Sequence, residues 1–198
     1  MKFLIIFLTS LSFCLTSVAQ NLDIDLLRKA NVNRNQSLDG TFKFISNSDT
    51  PIILAGPLTV LTVGLINKDK LTIQKGLVMG GTLCLNGALT LGLKYGFNRP
   101  RPFVTYPEIQ KLDKAGSYSF PSGHSSSAFA FATSICLAYP KWYVIAPSFA
   151  WAGLVGYSRM HLGVHYPSDV LVGALLGIGS GFLMHYLGKR VLSEYPGY

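Results

Sequence analysis

The 198-residue chain is 49% hydrophobic and only 13% charged, against about 25% charged residues in a soluble domain. Lys and Arg outnumber Asp and Glu by 17 to 9, a net charge of +8; with no nucleic-acid motif present, that excess reads as the basic loops of a membrane protein. Three cysteines, Cys14, Cys84 and Cys136, lack metal-like spacing and read as small buried hydrophobes.

In chain order, Lys2 precedes the apolar run 3–15 and the small-x-small stretch Ser17-Val18-Ala19. This reads as an export signal over residues 1–19, the alternative being a retained first transmembrane helix. Residues 20–50 are polar, with Arg28, Lys29, Arg34 and Lys43 against Asp23, Asp25, Asp39 and Asp49. Within them Ile24, Leu26 and Leu27, then Phe42, Phe44 and Ile45, predict short amphipathic pieces on the bilayer surface, or else an exposed linker. Five charge-free runs follow, 51–66, 76–93, 125–139, 142–157 and 170–183, each near the ~20 residues a bilayer requires.

The expected fold is therefore all-α, a polytopic transmembrane bundle of five helices after a signal peptide, or six if the first segment stays. Residues 51–190 form its membrane domain and 191–198 a cytoplasmic tail. Glycines 173, 177 and 181 recur every fourth residue, which predicts close approach of a second helix.

Three polar islands interrupt the apolar runs: 94–102, 121–124 and 158–169. Counting helices from an exported residue 20 places all three on the non-cytoplasmic face. Lys68, Lys70, Lys141, Lys189 and Arg190 then fall inside, as the positive-inside rule expects. Ionisable groups at such depth are expensive, and they mark function.

Lys94, Arg99, Arg101 and Arg159 supply cations without a matching acidic cluster, a set suited to phosphate. Pro121-Ser122-Gly123-His124 opens a helix, whose free N–H groups add an anion cradle, with Gly123 permitting close backbone approach. His165 stands just ahead of Pro167, so Asp169 falls in the first turn of the next helix and can orient the imidazole by hydrogen bond. An imidazole so held before a phosphate is an activated nucleophile, and His124 can protonate the leaving oxygen. His161 and His165, four apart, would suit a metal on a helix, but Gly163 and Pro167 argue against a helix there. His161 reads instead as a packing residue. Arg99 meets either phosphate or lipid headgroups. Residues 106–120 read as a lid beside the pocket, with Tyr106, Tyr118 and Phe120 resting on lipid.

These stretches, Lys94-x6-Arg101-Pro102, Pro121-Ser122-Gly123-His124 and Ser158-Arg159-x5-His165-x3-Asp169, resemble the three signature motifs of the type 2 phosphatidic acid phosphatase superfamily. Order and spacing are intact, and the resemblance covers about residues 50–187. It implies that His165 attacks phosphorus to form a phosphohistidine, with Asp169 supporting it and His124 protonating the leaving group. Lys94, Arg101, Arg159, Ser122 and the Gly123 amide would hold the phosphoryl oxygens, with no metal or other cofactor. Family members commonly have six membrane helices.

The expected enzyme is a lipid phosphatase acting on a lipid phosphate or diphosphate, in a bacterial inner membrane with its site facing the periplasm. Nucleic acid is excluded as a partner. A phosphotransferase would use the same residues, and a lipid-binding or transport protein would leave His165, Asp169 and His124 unexplained. Which lipid is the substrate, and the oligomeric state, stay open.

Overall fold

The computed structural model describes residues 21–191; the export-signal reading of 1–19 and most of the C-terminal tail lie outside them. The described chain is helical throughout its regular parts. Helix α1 covers residues 21–31, and a 3-10 turn at Gln36–Leu38 leads into α2 (Asp39–Asn47). The five apolar runs become α3 (Asp49–Ile66), α4 (Lys70–Phe97), α6 (Gly123–Ala138), α7 (Trp142–His161) and α8 (Pro167–Val191), with a single turn α5 (Pro102–Thr105) after α4.

Each helix end has a local cause. Asp69 caps α4, its carboxylate accepting from Leu71 N at 3.0 Å, as short acidic side chains do at helix starts. The same helix ends at Asn98, in the left-handed region at φ 49°, a conformation asparagine tolerates at a helix C-terminus. Arg99-Pro100-Arg101-Pro102 cannot resume it until the second proline, so two arginines are left on extended chain above the bundle. Pro167 starts α8 from the position a proline prefers.

Among the described residues, Gln36–Ile66, Lys70–Thr105 and Pro167–Val191 are long and apolar enough to cross a membrane. With 16 residues, α6 extends only ~24 Å at ~1.5 Å per residue, short of the ~30 Å hydrocarbon core. It lies in the middle of the bundle instead, packed by α3, α4, α7 and α8. The glycine stripe of α8 faces it, as the four-residue spacing predicts. A Cβ on Gly173 would stand 2.6 Å from the Ser122 carbonyl oxygen, and one on Gly177 2.3 Å from that of Ser126. Asn86 of α4 accepts hydrogen bonds from Ser126 at 2.6 Å and Ser180 at 3.4 Å, so one amide links three helices by the polar contacts membrane bundles use.

The N-terminal pieces divide their apolar residues: Ile24 and Leu27 bury against Ile109 and Tyr166 and Phe42 meets the His161 ring at 4.4 Å, while Leu26 and Phe44 stay exposed. One expectation needs correction. Cys84 is exposed, unlike Cys136, because the buried side of α4 is taken by Thr82, Asn86 and Thr90.

Candidate active site

The three polar islands meet at one end of the bundle. Lys94, in the last turn of α4, is 6% exposed; its ammonium donates to the Tyr118 carbonyl at 2.7 Å. Arg101 donates through Nε to the Ser117 carbonyl and through Nη1 to that of Val164, at 2.7 and 2.8 Å. Arg159, near the end of α7 and 2% exposed, reaches Asp113 at 2.7 Å and Ser46 through Nη1, while its Nε has no partner. Three buried cations thus share one bonded carboxylate, and the carbonyls of Ser117, Tyr118 and Val164 with the Ser46 hydroxyl stand in for the rest. Buried charge without full pairing is unfavourable, so this pocket is built for an anion. Burial is the largest single influence and raises the Asp113 carboxyl, but the Arg159 hydrogen bond, the Lys114 backbone bond and the Arg159 and His124 charges together outweigh it and hold the group below the usual carboxylate range.

Between α7 and α8 runs a short link carrying His165, 2% exposed. Its Nε2 lies 3.2 Å from Arg101 Nη1. A guanidinium only donates, so Nε2 is the unprotonated nitrogen, its lone pair accepting from Arg101, and Nδ1 carries the proton. Nδ1 faces Asp169 Oδ2 at 3.5 Å, longer than a formed hydrogen bond, and has no other partner. The Asp169 carboxylate is itself firmly held, by Ser119 Oγ at 2.5 Å, Tyr166 N at 3.0 Å and Arg99 at 2.6 Å. Burial pushes the His165 imidazole down to about 3; the facing Asp169 carboxylate opposes this and the Arg101 and Arg159 charges add to it. The ring is therefore neutral at physiological pH, with its lone pair turned toward a cationic pocket.

The start of α6 closes the third side. Ser122 caps it, accepting from Ser125 N at 3.4 Å and Ser125 Oγ at 3.0 Å. Both bonds use the Ser122 oxygen as acceptor and leave its own proton to give. The Ser122 amide donates to the Asp169 carbonyl at 3.0 Å, which fixes the cradle to the first turn of α8. An added Cβ on Gly123 would find its nearest neighbour, Lys94 Cε, at 3.9 Å, so packing within the protein does not demand glycine there. His124, half-buried, feels the charges of Arg159, Asp113, Arg101 and Lys94 together.

All eight residues marked by sequence converge here: Lys94, Arg101, Ser122, Gly123, His124, Arg159, His165 and Asp169. His161 goes elsewhere, to Asp39 at 2.8 Å, and does not share partners with His165. Arg99 binds Asp23 and Asp169, not an open phosphate position. Sequence reading missed Asp113 and Ser119; the one clue for Asp113 was an acidic residue isolated among basic islands. The 106–120 segment does cover the site, but Tyr106 packs on Tyr166, Tyr118 on Tyr95 and Phe120 on Phe97. A cavity of about 500 Å³ lies next to this cover, with Arg101 in its wall beside Tyr95, Phe103, Val104 and Tyr118.

Residues 75–192 match the PAP2 superfamily. The chain is 31% identical over 166 residues to an undecaprenyl-diphosphatase of Sulfolobus acidocaldarius, covering 81% of this chain and 76% of that protein. Among solved structures, Aquifex aeolicus LpxE superposes with a TM-score of 0.70 at 31% identity, over 82% of this chain and 94% of the other. A transmembrane PAP2-type phosphatidylglycerolphosphate phosphatase from Bacillus subtilis gives 0.72 at 27% identity, over 88% of each chain.

Proposed function

The chain belongs to the PAP2 superfamily, and from that premise we propose that it removes the phosphate of a lipid monoester or diphosphate through a phosphohistidine at His165. It is an integral membrane protein and a lipid phosphatase. The observation that carries the chemistry is the 3.2 Å approach of Arg101 Nη1 to His165 Nε2. An anion that draws Arg101 from the Ser117 and Val164 carbonyls and from Nε2 frees that lone pair and sets its own phosphorus before it.

In this scheme Lys94, Arg101 and Arg159 exchange their loop acceptors for phosphoryl oxygens, joined by the Ser122 hydroxyl and the Gly123 amide. His165 Nε2 forms the N–P bond as the ester P–O bond breaks, and His124 gives its proton to the departing lipid oxygen. Asp169 balances the charge that develops on the imidazole and holds the ring. Water, deprotonated by His124, then attacks the phosphohistidine, and inorganic phosphate leaves. The cations that offset phosphoryl charge are all side chains, so no step calls for a metal.

The site faces the periplasm of an inner membrane in this reading, supported by the count of helices from an exported start and by Lys68, Lys70 and Lys141 at the opposite ends of α3, α4 and α7. The apolar cavity beside Arg101 suits the lipid portion of a substrate whose phosphate sits at His165. Relatives act on polyprenyl and glycerolipid substrates by their names, and both kinds would fit. The test is phosphate release by purified protein from phosphatidic acid, phosphatidylglycerol phosphate, undecaprenyl diphosphate and lipid A, with His124→Ala alongside. General acid help is worth ~10²–10⁴-fold, so His124→Ala should lose that much on a lipid monophosphate and far less on an aryl phosphate, whose leaving group departs as its anion. Equal losses on both would remove His124 from this role. Appearance of phosphorylated lipid in place of inorganic phosphate would make the enzyme a phosphotransferase.

A further inference from the structure

The N-terminal helix α1 precedes every motif of the site, yet one of its side chains reaches the first turn of α8. Asp23, 9% exposed, accepts from Ser168 N through Oδ1 at 2.8 Å and from Ser168 Oγ through Oδ2 at 2.6 Å. It thereby caps α8 from 145 positions away, satisfying an N–H that the helix itself leaves open. The same carboxylate accepts from Arg99 Nη2 at 2.8 Å, while Arg99 Nη1 donates to Asp169 Oδ1 at 2.6 Å and to Ser168 Oγ at 2.7 Å. The guanidinium carbon lies over the Tyr166 ring, 3.9 Å from its centroid.

Arg99 is thus held by two carboxylates, a hydroxyl and a ring. Its fork holds Asp169 Oδ1, which leaves Oδ2 turned to Ser119 and toward His165 Nδ1. Asp23 in turn offsets the positive charge that would otherwise draw Arg99 toward a bound phosphate. The anchoring of α1 gives this bond a fixed origin. Leu27 is fully buried, and Asn31 donates to the carbonyls of Gln110 and His161 at 3.0 and 2.9 Å while accepting from Gln110 N at 2.8 Å.

We propose that Asp23 and Arg99 are positioning residues of the reaction, a relay from the N-terminal helix that sets the rotamer and charge of Asp169 and, through it, the His165 ring. This rests on the phosphohistidine reading above. Neither residue bonds the phosphoryl position, Arg99 reaching the cavity only as part of its wall, so their loss should appear in kcat and leave KM nearly as it was.

The experiment compares Asp23→Asn, Arg99→Gln and the double variant with wild type and His165→Ala, as full-length protein in detergent micelles, using lipid phosphate hydrolysis per folded molecule. Asp23→Asn keeps an acceptor for Ser168, and so keeps the α8 cap, but removes the charge that opposes Arg99. Its kcat should fall about tenfold and that of Arg99→Gln about a hundredfold, the range for partners that orient a reacting group through another, with KM within about twofold. Because both act through one bond, the double variant should be no slower than Arg99→Gln alone; independent sites would multiply. Asn31→Ala, which loosens α1 without touching the relay, serves as the structural control and should lower the melting temperature with kcat largely kept.

An unchanged kcat in Asp23→Asn, or a double variant showing the full product of the two losses, overturns the relay while His165→Ala stays inactive. A kcat loss in Asn31→Ala equal to that of Asp23→Asn would reduce α1 to a structural clasp and overturn it too. Activity surviving in His165→Ala instead overturns the phosphohistidine reading, and the relay with it.

Discussion

The interface between α6 and α8 and the site at its end are built from the same two helices by opposite means. Down the interface, Gly173, Gly177 and Gly181 leave room for the backbone of α6, and hydroxyls of Ser126 and Ser180 share Asn86 without a charge nearby. At the end, where each helix begins, Ser122 meets Asp169 and five charged side chains crowd within a few bonds. The interface is specified by shape, so errors there are steric and cost folding. The site is specified by charge, so errors there are electrostatic and cost turnover.

The sharpest separation is a pair of substitutions. His165→Ala should abolish lipid phosphate hydrolysis while the protein stays folded, since its Nδ1 is already unpartnered. Gly177→Leu should do the reverse. Its side chain would have to displace the Ser126 carbonyl at 2.3 Å and Ala130 N at 2.7 Å, backbone atoms that cannot turn aside; overpacking of this kind costs about 1–3 kcal/mol or more. Gly179→Leu, on the same helix with nothing within 4 Å of the new Cβ, is the control and should be neutral. Melting temperature in micelles reads all three. An intact melt for Gly177→Leu would show that the glycine stripe does not set the fold.

The same division explains what could be seen in the chain beforehand. Glycines spaced by four, apolar runs and the islands around Lys94, Ser122 and His165 are local patterns, and they located the bundle, the α8 contact and the eight residues that meet at the candidate site. Asp23, Ser46, Ser119 and Asp113 carry no local pattern, because each matters through one bond to a distant residue. Asp23 to Ser168 and Ser46 to Arg159 span 145 and 113 positions. The apolar faces of α1 and α2 were legible as faces, but not what would cover them. Gly163 shows the same limit: its φ of +71° and the Gln110 carbonyl 2.2 Å from a would-be Cβ exist only once the 106–120 segment has folded over it.

A smaller effect would sharpen the electrostatic side. Asp113 is the carboxylate paired with Arg159, and in the proposed scheme a phosphoryl group competes with it for one guanidinium. Asp113→Asn keeps a hydrogen-bond acceptor and removes the competing charge. Inorganic phosphate should then inhibit about tenfold more strongly, at the lower end of ordinary coupling energies. Unchanged or weaker inhibition would mean that Asp113 positions Arg159 rather than competing with substrate.

The smallest effect comes from protons. The His165 ring is held neutral down to about pH 3, from an ordinary value of 6.5. Above pH 6.5 neither folded nor unfolded chain protonates it, and it has no bearing on stability. As pH falls below 6.5 the unfolded chain takes up a proton that the folded site refuses, so folding weakens progressively until the folded pKa is reached. Asp113, held below the carboxylate range, acts in the same direction but only below its ordinary 3.8, whereas His124, pushed down chiefly by burial, adds to the decline between pH 7 and 5 beside His165. Melting temperatures across that window should decline in wild type and decline less in His165→Gln, where other groups titrate alike and cancel in the difference. Parallel declines would mean that the buried ring does take up the proton, and that its lone pair is not held free for phosphorus by the cations around it.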